Sequence, residues 1–364
     1  MQIRALRKSS AGGRVRVSAT MIWEDCDQPS QEVYFECPAS FEDDIAPNPN
    51  AFLLAGIMPA TDRGEHRVQV EGSVCPELRN GLLAAFRVIR DCFFFLGFNR
   101  YDFDAYGPVP ERLQDFERRL ERMSELAREA QINLIPVHTN IRFFARDSNA
   151  WNKRGMGAGL ASIAHAFSPR IARVLIGSSG SIGIPLPWGT HPLLDPNFSS
   201  TNLEVRHDGL QLSRLQKTAI ISDWPAAMRI LQCCWQNEGI PTSINCGYCG
   251  KCLHTMIQLA ALDKLDKTHT LPHVEITPQM VDNELLRDAD DAASLQECIE
   301  HFSRKGRADL VEAIHKRIKR YHNEIHRAGF RTAIKQWDQK LTCGLLTRSV
   351  RPVLGLLRKL RNKL

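Results

Sequence analysis

The chain has 364 residues, an ordinary apolar share of 43% and a formal net charge of +6 from 47 basic and 41 acidic side chains. That length accommodates two or three domains with cores of their own. The longest apolar runs, residues 92–97 and 350–357, fall far short of the roughly 20 residues a membrane-spanning helix needs. No N-terminal stretch reads as a secretion signal, so a cytoplasmic protein that does not span a membrane is expected.

Residues 14–38 alternate, with Val15, Val17, Ala19 and Met21 on one side and then Val33, Phe35 and Cys37 after a polar turn, which predicts an antiparallel strand pair. Residues 52–59 and 66–70 are expected to continue a small β-leaning region. A helix is predicted over 80–90, a buried strand over 92–98, a charged amphipathic helix over 110–130 and a second buried strand over 132–137. A small-residue helix over 157–167 and a strand over 173–176 follow, the latter ending in Gly177-Ser178-Ser179-Gly180. Strands alternating with helices imply a parallel sheet, whose ligands sit at the carboxyl ends of strands. Tyr101, Asp102 and Asp104 fall on that rim, and His191 and Asp195 share a proline-rich loop where they could act as acid and base. From residue 212 onward the pattern is helical.

Charge is unevenly spread. Residues 304–364 carry 17 basic against 4 acidic side chains, leaving 30 against 37 in the rest. Leu310, Ile314, Ile318, Tyr321 and Ile325 form one helical stripe among Lys316, Arg317, Lys319 and Arg320, and Leu346 to Leu364 repeat the design. A basic amphipathic helix of this kind suits an anionic membrane surface, RNA, a protein partner, or packing on its own domain.

The eleven cysteines are odd in number and five of them crowd together, which argues against a disulfide framework. Cys246, Cys249 and Cys252 are spaced by Gly-Tyr and Gly-Lys, so the glycines let the backbone fold around an ion that three thiolates hold. Cys234 is the natural fourth ligand, and His254 is the alternative. Four thiolates would close the site, making zinc structural. An iron–sulfur cluster is the rival centre, and buried cysteines without metal are the plain alternative.

The run from Asn245 through Cys246, Cys249 and Cys252 to Met256, with Cys234-Trp235 before it, resembles the zinc-binding end of PP-loop ATP pyrophosphatases. That superfamily includes 7-cyano-7-deazaguanine synthase and the asparagine synthetase C-terminal domain. The resemblance extends over residues 187–196, 204–209 and 213–217 and covers about half the chain, residues 91–263. It implies a Rossmann-like α/β/α sandwich that uses ATP and Mg2+ to adenylylate an acceptor, after which a nitrogen or sulfur nucleophile displaces AMP. It implies a phosphate contact at Lys217, which Arg214 one turn earlier could share, and names no catalytic residue. Gly177, Ser178 and Ser179 follow a buried strand and could offer amides to a nucleotide, or form a plain turn. The superfamily's Ser-Gly-Gly-x-Asp-Ser loop, which cradles pyrophosphate, is absent between Arg79 and Cys92. Lost or strongly reduced ATP turnover is therefore expected, and the alternative is a non-catalytic zinc-containing scaffold. The chain then divides into a β-rich domain (1–78), a PP-loop-type core (79–225), a helical zinc-knuckle region (226–303) and a basic tail (304–364).

Overall fold

The computed structural model describes residues 1–90, 109–147, 150–181, 188–234 and 244–342, with backbone alone for 109–115 and 327–342. The strand expected over 92–98, Tyr101, Asp102, Asp104 and the stripe from Leu346 to Leu364 lie outside these residues. The chain is mixed α/β and divides into two units, one spanning Met1–Leu231 and one holding residues 232–234 and the chain from Ile244 on. No helix among the described residues is long and apolar enough to cross a membrane.

The first unit opens with three antiparallel strands, β1 (Gln2–Ala11), β2 (Arg14–Ile22) and β3 (Gln31–Pro38). Gly12 and Gly13 both take positive φ between β1 and β2, as a two-residue hairpin turn of this twist requires. The predicted β2–β3 pair forms in the register its alternation demands, with Val15 opposite Cys37, Val17 opposite Phe35 and Ala19 opposite Val33. All six are buried.

Residues 52–59 are helical rather than β. They belong to α1 (Pro49–Asp62), which Asn48 caps by accepting the Asn50 amide (2.9 Å), with Pro49 in the first turn. Its Phe52 ring packs 5.6 Å from that of Phe35, and a Cβ on Gly56 would come within 2.8 Å of Met1 Cε. The short strand β4 (Gln69–Val70) pairs parallel with β1, and α2 (Pro76–Val88) and α3 (Val109–Glu129) follow.

The strand expected over 132–137 does not form. The chain reaches the sheet only at β5 (His138–Thr139), antiparallel to β3, and Ile132 is exposed. Pro136 lacks the amide a ladder needs, which explains why an apolar run stays irregular here. The sheet order is β4-β1-β2-β3-β5.

Helix α4 (Met156–Ala166) is built from small residues and packs against α1. The parallel pair β6 (Arg173–Gly177) and β7 (Glu204–Asp208) stands apart from the larger sheet. Ile176 and Val205 of this pair meet Leu78 and Leu82 of α2, Ala158 and Ala161 of α4, and Phe198 in a core of their own. Helices α5 (Arg214–Ser222) and α6 (Pro225–Ile230) complete this unit.

The second unit is helical, with α7 (Gly250–Ala261), α8 (Pro278–Asp282), α9 (Ala289–Arg304) and α10 (Ala308–Thr342). In α10, Leu310, Ile314 and Tyr321 of the predicted stripe are buried while Ile325 is exposed. Arg317, one of the basic residues around the stripe, is buried and donates from Nε to the Glu284 carbonyl (2.7 Å). Arg320 pairs with Asp282 (2.8 Å), so part of the basic face serves the protein's own packing.

Candidate metal centre

Helix α6 ends at Ile230, and the chain reaches Cys233 and Cys234 without regular structure. Asn245 then organises the approach. Its buried Oδ1 accepts the amides of both Cys233 (2.9 Å) and Cys234 (3.0 Å), and its Nδ2 donates to the Thr270 carbonyl (3.1 Å). Gly247 takes φ +79°, and a Cβ there would lie 2.7 Å from Pro272 Cγ. A Cβ on Gly250 would lie 2.8 Å from Leu285 Cβ, so both glycines allow close approach, and Gly247 also allows the turn. Cys249 is the N-cap of α7, and Cys252 sits in the first turn of that helix, where the dipole favours thiolate.

These elements bring together the predicted set of Cys234, Cys246, Cys249 and Cys252. Their four sulfurs lie within 4.8 Å of one another. Cys234 and Cys249 are 3.8 Å apart, Cys246 and Cys252 3.8 Å, and Cys249 and Cys252 3.5 Å. A zinc tetrathiolate with bonds of the usual length has tetrahedron edges of about 3.8 Å, so the donor set fits a four-coordinate metal.

Electrostatics support the same fit. Burial pushes the Cys249 thiol well above its ordinary range, and contact with Cys233, followed by burial, does the same to Cys252. Cys246 moves the other way: against the desolvation of burial, the amides of Tyr248 and Cys249 favour its thiolate. Packed sulfurs hold their protons because successive thiolates repel one another. A divalent cation removes that repulsion, so binding releases protons and affinity rises with pH.

His254, the alternative fourth ligand, is committed elsewhere. Its Nδ1 bonds Glu284, and its Nε2 lies 2.9 Å from Ser294 Oγ and 3.1 Å from Gln258 Nε2.

In the first unit, four of the five candidate nucleotide residues, Gly177, Ser178, Ser179 and Lys217, lie at the carboxyl end of β6. Lys217 reaches back from α5 and donates to the carbonyls of Ser178 and Gly180, both at 3.1 Å. The Ser178 amide donates to the Asp208 carbonyl (2.7 Å) and its hydroxyl to the Gly180 carbonyl (2.8 Å), whereas Gly177 and Ser179 are exposed. The side chain of Arg214, on the same helix as Lys217, is half-buried.

The His191 amide donates to Asp195 Oδ1 (3.2 Å), while the His191 Nδ1 accepts the Leu193 amide (3.1 Å). The imidazole partner of Asp195 is His207, whose Nδ1 lies 2.7 Å from Oδ2. Burial, then the neighbouring His207, lowers the basicity of His191, with Asp195 opposing.

Sequence reasoning gave no role to Asn245, Cys233 or His207. For Asn245 a signal was present, since it directly precedes the cysteine run. The His207–Asp195 pairing depends on the fold, which sets residue 207 of β7 beside the 195–198 turn. Comparison with protein families, curated proteins and solved structures brought no match to this chain.

Proposed function

We propose that the chain is a nucleotide-binding protein of PP-loop ATP pyrophosphatase type, with a Rossmann-like α/β/α body and a structural zinc in its helical unit. The observation that carries this reading is the four-thiol cluster of Cys234, Cys246, Cys249 and Cys252, because it is built from the most specific part of the resemblance. When bound, the metal cross-links the 234 segment to the start of α7; the site has no open position for chemistry. The Lys217 ammonium, held by the Ser178 and Gly180 carbonyls after β6, is the cation this reading assigns to the nucleotide site. The absent Ser-Gly-Gly-x-Asp-Ser loop removes the main cradle for pyrophosphate, so ATP is bound with Mg2+ but turned over poorly.

The test is pyrophosphate release from ATP by zinc-quantified protein, run beside isothermal titration of ATP. Binding without release supports the reading. Release well above background shows that other residues replace the missing loop and overturns the loss of turnover. Neither binding nor release, with one zinc per chain, favours a second reading: a zinc-containing scaffold docked to anionic membrane, RNA or a protein. Lys316 and Lys319, exposed on α10, speak for that alternative.

A further inference from the structure

Four thiols suffice for the metal, yet a fifth stands beside them. The Cys233 sulfur lies 3.9 Å from the Cys252 sulfur, close to the 3.5–3.8 Å that separate the ligand sulfurs themselves. We propose that Cys233 is a reserve ligand of this centre, a thiolate that takes the coordination position of Cys234 when that bond opens. The inference rests on the metal reading above and deepens it.

Three features of the site carry it. Cys233 and Cys234 are consecutive, and their amides share a single acceptor, Asn245 Oδ1, so one hub presents both thiols to the same cluster. Neither residue is in a helix, so an exchange between them breaks no helical hydrogen bond. Cys233 as a residue is half-buried while Cys234 is buried. Its sulfur also lies 3.3 Å from Asn245 Oδ1, an acceptor that can hold its proton while the other four sulfurs are occupied.

The exchange balances without an oxidant. Cys234 gives up its bond to the metal and takes a proton, while Cys233 gives up its proton and takes the bond. The number of thiolates and the total charge stay the same. A plain hydrogen bond from Cys233 to the Cys252 sulfur is the competing role, and serine would preserve it whereas alanine would not.

The test measures zinc per chain and the thiolate-to-metal charge-transfer intensity after cobalt substitution. It uses the wild type, Cys233→Ser, Cys234→Ser and the double variant. The proposal expects Cys234→Ser to keep one metal with undiminished intensity and the double variant to lose intensity or metal. Intensity at about three quarters of the wild type in Cys234→Ser, as three thiolates would give, overturns it; so does loss of the metal from that variant alone. A wild type without metal would overturn the metal reading itself.

A second measurement does not depend on Cys234→Ser folding. Zinc transfer to excess chelator should be about tenfold faster from both Cys233→Ser and Cys233→Ala than from the wild type. A wild-type rate in Cys233→Ser shows that a hydrogen bond is all the residue provides, and overturns the proposal.

Discussion

The unit spanning Met1–Leu231 and the unit from Ile244 on both bury apolar side chains, and they differ in how many charged and polar groups are buried with them. The first closes over two apolar clusters, one around Phe35 and Phe52 and the other around Leu78, Leu194 and Phe198. The second buries Leu253, Met256, Ile257, Leu295, Phe302 and Ile314, and with them His254, Gln258, Glu284, Asp291, Ser294 and Arg317, alongside Cys234, Cys249 and Cys252. Buried polar groups need their partners: Arg287 holds Asp291 through two bonds of 2.8 Å, while Glu284 Oε2 has no hydrogen-bond partner among the described residues. Each unsatisfied group of this kind costs about 1–3 kcal/mol. An apolar cluster loses stability in steps as contacts are removed, whereas buried polar groups beside the proposed metal centre would lose their support in one event.

Metal removal should expose that difference most strongly. Structural zinc in small thiolate sites contributes on the order of 10 kcal/mol to folding. Chelation is therefore expected to abolish amide hydrogen-exchange protection through α7, α8 and α9 while leaving β1 to β3 protected. Retained protection in the helices would mean that the polar interior stands without its ion, and the contrast between the units would fail.

A smaller effect is expected from Phe198→Ala, which empties a fully buried position of the second apolar cluster. Large aromatic truncations of this kind cost about 3–5 kcal/mol. Denaturant unfolding of the first unit should shift accordingly, with zinc content unchanged at one per chain. If zinc is lost as well, the two units do not fold independently.

The smallest effect concerns Glu36, on the polar face of the main sheet. Burial works against its ionisation, but the guanidiniums of Arg16 and Arg14 hold its carboxyl below the usual carboxylate range. With the folded value depressed, its stabilising contribution is present above the ordinary carboxylate range and fades as pH falls through the lowered value. Glu36→Gln should cost less than about 1 kcal/mol at neutral pH, since the arginine partners are well exposed. The gap from wild type should close on acidification. A gap that persists in acid would point to packing rather than charge.

By itself the sequence determined the elements whose signal is local. The alternation of residues 15–21 and 33–37 specified a strand pair and its register, because a slip by one residue would turn Val17 and Phe35 to water. The Cys246, Cys249 and Cys252 spacing specified a thiol loop able to hold a metal, because glycine punctuation and thiol chemistry act over a few residues. Periodicity could not distinguish helix from strand for residues 52–59, where nearly every side chain is buried and no amphipathic pattern remains. Tertiary structure alone decided that Cys234 and not His254 joins the cluster, and it paired His207 with Asp195 and sent Arg317 inward. Each of those outcomes depends on which distant chain segment supplies a partner to a buried polar group, and spacing along the sequence carries no record of that distance.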